Sequence, residues 1–214
     1  MSAAIQQKRD VSDYDVLNLK GLGDIFLTQS DIASLTLEGD VELLDHIKTE
    51  VNQGELVISY KNWLDFLLIP RSLKIYATMK DIHGVKVSGR GTLKADAIDT
   101  DQLKLNISGS GDIEIGHLTA ENLEVATSGS GQFNISGKVN KQNVRVSGSG
   151  KYEAAGLDSQ QAVVRVSGAC RATLNAQEAL DVSVSGSAEV RYAGSPRLRQ
   201  RVSGSASIRH LDRI

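Results

Sequence analysis

The sequence has a single cysteine, Cys170, and only two prolines. One thiol excludes an internal disulfide framework. Aromatic residues make up 4% of the 214, which excludes a large core built on rings and points to thin layers of Val, Ile and Leu. Long apolar runs are missing as well. The longest, Phe66 to Ile69, is four residues, far short of the roughly 18 that a membrane span needs. Residues 1–6 lack the basic and apolar regions of a signal peptide. That leaves either a cytosolic protein or an exported one whose leader is already gone. An excess of one charge is also absent: the net is −2, and nothing in the overall balance suggests nucleic-acid binding.

Charge is nonetheless uneven along the chain. Residues 141–214 carry 11 Lys/Arg against 6 Asp/Glu. The plain account is two differently solvated ends of a long molecule; the sharper one is a basic C-terminal end that docks onto an acidic partner or surface.

What the sequence does have is glycine, 20 residues of it, set in a recurring phrase. Ser-Gly-Ser-Gly stands complete at 108–111, 128–131 and 147–150, with near copies starting at Ser88, Ser167, Ser185 and Ser203. The starts are separated by 20, 20, 19, 20, 18 and 18 residues. A fixed period near 20 marks a repeat architecture, in which each unit buries its inner face only against its neighbours. Residues 16–25 hold a related copy around Gly21 and Gly23, so the repeat begins near the N-terminus, pauses, and resumes at residue 85.

The pause, residues 29–84, predicts irregular rungs and a cap or side flap. Leu35 and Leu37, then Leu56, Ile58 and Tyr60, then Leu73, Ile75 and Ala77 alternate as strands do. Residues 40–47 predict one or two turns of helix, with Asp40 as N-cap and Leu43, Leu44 and Ile47 on the apolar face. Asn52-Gln53-Gly54 is a turn signal. Trp63, Phe66, Leu67 and Leu68 form the one aromatic-rich cluster, and Pro70 breaks what precedes it. That cluster is a plug for a terminal rung or, alternatively, a ligand platform.

In the array, period-two alternation assigns the faces. Leu103, Leu105, Ile107, Gly109, Gly111, Ile113 and Ile115 point inward; Lys104, Asn106, Ser108, Ser110, Asp112 and Glu114 point outward. The first glycine recurs in every copy, as Gly89, Gly109, Gly129, Gly148, Gly168, Gly186 and Gly204. It needs either an unusual backbone conformation or an approach too close for a methyl. The second position becomes Cys170, Ala188 and Ala206, so it need only be small, and Cys170 reads as an apolar filler. After each phrase a short strand and a connecting bend follow, with Leu118 or Leu157 reaching inward. Stacked parallel coils of this kind predict an all-β, right-handed parallel β-helix, one domain over 1–214, with irregular rungs at 11–84 and the regular array at 85–210. Eight or more rungs would make a rod roughly 40 Å long.

Read as columns, the outward residues give two serine stripes. Ser108, Ser128 and Ser147 belong to one; Ser110, Ser130 and Ser149 belong to the other. Such hydroxyls bond to the backbone at a tight bend, or they form a stripe that meets a glycan or another rod. A partly basic column (Lys86, Arg145, Arg165, Arg201) and a mixed one (Asp112, Gln132, Lys151, Arg171, Glu189) flank the phrase, and neither concentrates one sign. No acidic pair stands on adjacent rungs for acid–base or calcium chemistry. His46, His83, His117 and His210 share no metal-ligand spacing. The phrase also lacks the lysine and helix of a phosphate loop. These features predict no enzyme, no metal and no cofactor.

Gly21 to Gln29, Leu35 to Asp40, Ile47 to Val51 and Gly54 to Ser59, followed by the Ser-Gly-Ser-Gly array, together resemble the auto-transporter adhesin, head GIN domain, family of exported bacterial proteins. The likeness covers nearly the full chain and departs only after residue 167, where Cys and Ala replace Gly. It implies a β-helical, extracytoplasmic, non-enzymatic scaffold or adhesion module, with a cell-surface protein or glycan as partner. Two other readings stand beside it. One is a glycan-binding or carbohydrate-active β-helix with its site near Trp63 and Phe66. The other is a structural subunit that forms a homo-oligomer through its C-terminal rung, whose last strand has no obvious cap.

Overall fold

A computed structural model describes residues 4–62 and 73–211. Trp63 and Phe66 lie outside these. The described chain is a β-solenoid with one short helix, and its layers do not follow chain order at the N-terminal end. Strands β1 (Ile5–Arg9), β2 (Val16–Lys20), β3 (Leu22–Gln29) and β4 (Ser34–Gly39) lead to helix α1 (Val41–Asp45). After it come β5 (Ile47–Asn52), β6 (Glu55–Tyr60), β7 (Lys74–Met79) and β8 (Gly84–Val87). The layer made of β2 and β3 stacks in parallel on β6 and β7 on one side and on β8 and the start of β9 (Arg90–Ile107) on the other. The apparent pause in the repeat is therefore an excursion. It lays one further layer beneath the first and returns to the top of it.

That excursion also closes the end of the stack. β5 pairs antiparallel with β6, β4 antiparallel with β7, and β1 antiparallel with β4. Gln53 (φ 51°) and Gly54 (φ 80°) form the two-residue loop between β5 and β6, where left-handed backbone suits the twist of a hairpin. α1 links β4 to β5, and its Leu43 and Leu44 are 0% and 1% exposed. Asp40 occupies the N-cap position with extended backbone, but its side chain makes no capping hydrogen bond. The helix is held by its buried leucines.

From β9 onward the rungs are regular: β10 (Ser110–Thr127), β11 (Ser130–Val146), β12 (Ser149–Ala154), β13 (Leu157–Val166), β14 (Ala169–Asn175), β15 (Ala179–Val184), β16 (Ser187–Ala193), β17 (Arg197–Val202) and β18 (Ser205–His210). Each pairs in parallel with its successor one turn on. The first of these rungs are continuous strands of 17–18 residues from one corner to the next, where a short strand and a bend are expected. The backbone bends between faces without losing its ladder, and Leu118 and Leu157 are buried at those bends. The single 19-residue step is absorbed at Gly137, whose φ of 125° goes with a register shift opposite Ile115 to Leu118.

Inside, the alternating residues make one continuous core. It is not wholly aliphatic. Gln142 takes a position held by Leu123 one rung below and Ala162 one rung above. Its Oε1 accepts from Tyr152 Oη at 2.8 Å, and its Nε2 donates to Ser159 Oγ at 2.8 Å. Ser159 Oγ donates in turn to the Asn175 carbonyl at 2.7 Å. Tyr152, Gln142 and Ser159 are all buried, and satisfying each of them keeps a network of this kind from costing stability.

Candidate functional site

The corner of each rung carries the features that face solvent. In the turn Ile107-Ser108-Gly109-Ser110-Gly111, the amides of Ser108 and Ser110 donate to the Val87 and Gly89 carbonyls below, at 2.9 and 2.7 Å. The ladder thus runs around the bend. A Cβ built on Gly109 would overlap the Gly89 carbonyl oxygen, and the same overlap recurs at Gly89, Gly129, Gly148, Gly168, Gly186 and Gly204 against the glycine one rung below. None of the seven has a left-handed φ. Close approach of stacked backbones, not an unusual conformation, is what demands glycine here.

At the second position Gly91 and Gly111 also lie against backbone carbonyls of the rung below, but higher in the stack the position is less strict. Gly150 faces Val146, whose methyls would lie 3.0 Å from an added Cβ. Cys170 and Ala188 continue that column. Cys170 is buried, and burial pushes its thiol up to about 11. A thiol so placed holds little thiolate near neutral pH and is a poor nucleophile.

The serines divide in a way the repeat does not show. Ser147 Oγ donates to the Thr127 carbonyl at 3.2 Å, and Ser185 Oγ to that of Val166 at 3.5 Å. Ser108, Ser110, Ser128, Ser130 and Ser149 are exposed and make no side-chain hydrogen bond within the described residues. Two long grooves run beside them. One, of ≈ 1090 Å³, has the second-position column as its floor, with Ser110, Ser130 and Ser149 on one wall and Asp112, Lys151 and Arg171 on the other. The second, of ≈ 760 Å³, lies across the corner. Ser128, Ser147 and Ser167 form one wall, Arg145, Arg165 and Arg201 the other, and the backbone of Val146, Val166 and Val184, whose side chains are buried in the core, the floor.

The charges bordering these grooves differ in kind. On the side of β12, β14 and β16 they are neutralised in place. Lys151 lies 3.5 Å from Glu153, Arg171 3.0 Å from Glu189, and Arg191 2.5 Å from the same carboxylate. Hydrogen bonds from Arg171 and then Arg191 hold the Glu189 carboxyl below the usual range. Across the corner, the segments 141–146, 161–166, 179–184 and 197–202 stack in register. They carry Lys141, Arg145, Arg165, Arg197, Arg199 and Arg201 against one acid, Asp181. The structure overturns the expectation that neither side concentrates one sign. Columns taken singly hide the effect, because the cations sit in three adjacent columns of one face.

Among the described residues no group of three or more His, Cys, Asp or Glu could hold a metal ion, and no helix is long and apolar enough to cross a membrane. The acids of one outward column, Glu114 and Glu153, stand two rungs apart with Asn134 between them.

The family described as "Putative auto-transporter adhesin, head GIN domain" matches residues 13–196. The chain belongs to this family. Among solved structures, a "putative adhesin" from Bacteroides fragilis superposes with a TM-score of 0.89 at 23% identity, over 99% of this chain and 98% of that one. A "putative lipid binding protein" from Parabacteroides distasonis gives 0.75 at 23% identity, over 98% and 97%. A "putative adhesin" from Parabacteroides merdae gives 0.72 at 16%, over 98% and 96%. At these identities the likeness is one of fold: these structures share the solenoid along its whole length. Among curated proteins, none matches the sequence.

Proposed function

We propose that this head GIN domain is an extracytoplasmic, non-enzymatic binding module, a rigid rod that presents its serine-lined corner to a partner at a bacterial surface. The observation that carries the reading is the corner itself. Exposed hydroxyls without partners in the fold stand beside two long grooves, on a backbone held by continuous ladders. Preorganised polar groups along a groove suit recognition, whereas acid–base chemistry needs paired titratable groups that the corner lacks. The family's name and its adhesin relatives support a surface role.

Binding of the purified chain to glycan arrays and to whole bacterial and host cells tests this. The expected result is saturable binding that Ser108→Tyr and Ser128→Tyr, which fill the second groove, weaken without changing the melting temperature. Binding that ignores both substitutions, or none to any surface, would remove the corner as the contact.

A further inference from the structure

We propose that the basic groove beside the corner binds a linear polysaccharide bearing carboxylates. The proposal rests on the adhesion reading and names the chemical class of its partner.

The guanidinium groups carry the argument. Arg145 and Arg165 are direct in-register neighbours on β11 and β13, one strand spacing of roughly 4.8 Å apart. Arg201 stands two rungs further along the same column, beyond Ser183. All three are exposed, and none forms an ion pair or side-chain hydrogen bond within the described residues. Like charges directly opposite on neighbouring strands are destabilising. On the other side of the corner Arg171 and Arg191 share the Glu189 carboxylate, although Arg191 also stands opposite Arg209. The basic face leaves the repulsion unrelieved.

Protection of an open edge accounts for only part of that face. Arg197, Arg199 and Arg201 lie on β17, which has no partner on its outer side among the described residues. Charged residues on an edge strand discourage pairing with other chains. Arg145 and Arg165 lie on interior strands, paired on both sides, so that explanation does not reach them.

The groove selects the partner's form. It is a trough along the stack of ≈ 760 Å³, with guanidinium groups on one wall, serine hydroxyls on the other and strand backbone as its floor. Guanidinium pairs bidentately with carboxylate. The serine hydroxyls match sugar hydroxyls. A chain lying lengthwise would meet cations at two successive rungs, Arg145 and Arg165, and a third at Arg201 beyond Ser183. A planar membrane surface would reach the rims but not the floor.

The test uses the full chain with polygalacturonate oligomers, followed by titration calorimetry at low and high salt. Its fully methyl-esterified form, phosphatidylglycerol vesicles and duplex DNA are run alongside. Polygalacturonate should bind, with affinity falling as salt rises, and the uncharged ester should not. Arg145→Gln with Arg165→Gln should weaken binding about tenfold or more, since each loses a charge-assisted contact. Lys48→Gln with Lys94→Gln, which line neither groove, should leave it unchanged. Melting temperatures of both pairs establish that each is folded. Absence of binding, equal binding of the ester, equal loss in both pairs, or preference for vesicles or DNA would each overturn the proposal. If polygalacturonate fails while the chain still binds cells, the polysaccharide is wrong and the adhesion reading stands; loss of both removes both.

Discussion

The two ends of the solenoid are terminated by different means. At the N-terminal end, β5, β4 and β1 turn antiparallel beneath the last parallel strands, and α1 seats Leu43 and Leu44 in the interior. At the C-terminal end no such layer follows among the described residues. Leu198 and Val202 are 37% and 46% exposed on inward positions. Between them stands Gln200, in a column that is otherwise Val144, Val164 and Val182. Outside are three arginines. One end gains burial by being covered; the other gives up burial in its last rung and guards the open edge with polar and charged groups. Any stacked fold must solve this problem twice, and the covered solution takes far more chain.

The difference makes the middle and the covered end stiff and the last rung yielding. Gly109→Ala should cost about 3 kcal/mol or more, because the new methyl forces rungs apart where strands are paired above and below. Gly204→Ala meets the same overlap with the Gly186 carbonyl but should cost only about 1 kcal/mol, since the last rung can lift away. Denaturant titrations of the two variants measure this; equal losses would show the open end to be as tightly held as the centre. Leu44→Ala, which empties the plug, should cost about 2–5 kcal/mol. Leu198→Ala at the open end should stay within about 0.5 kcal/mol, and a comparable loss there would erase the distinction between ends.

Acid should weaken the covered end through Glu55. Lys86 Nζ and Asn18 Nδ2 donate to its carboxylate at 2.8 and 2.6 Å. The Lys86 bond first, then that of Asn18, hold the carboxyl below the usual range. A folded-state value lower than the unfolded one means stability that is present above the unfolded value and lost as pH falls through the folded one. The gap in melting temperature between the parent and Glu55→Gln should therefore be largest near pH 7 and close as pH drops from about 5 to 3. A constant gap over that range would assign the loss to packing.

Most of the repeat was legible from residue order. Alternation placed Leu103, Leu105 and Ile107 inside and Ser108 and Ser110 outside, because a strand's side chains point to opposite faces in turn. The turn at Gln53-Gly54 and the buried leucines of α1 were also readable, each from a local signal. Two things were not. The stacking of β6 and β7 beneath β2 and β3 depends on which edges pair, and short alternating strands carry no label for their partners. The basic face arises from three columns brought side by side, which no single column reveals. Lys141 and Arg145 look scattered along the chain until β13, β15 and β17 align Arg165, Arg197 and Arg199 above them.

By itself the sequence determined a coil with a period near 20, an obligatory glycine at each corner and a thin aliphatic interior. Those follow from spacing and side-chain size, which are local quantities. The tertiary structure decided why that glycine is obligatory, since only stacking shows one rung's backbone resting against the carbonyl of the next. It also decided how the ends are closed and on which face the unpaired cations collect. Each of these depends on which strand lies beside which, and in a parallel stack that neighbour is a full turn away along the chain.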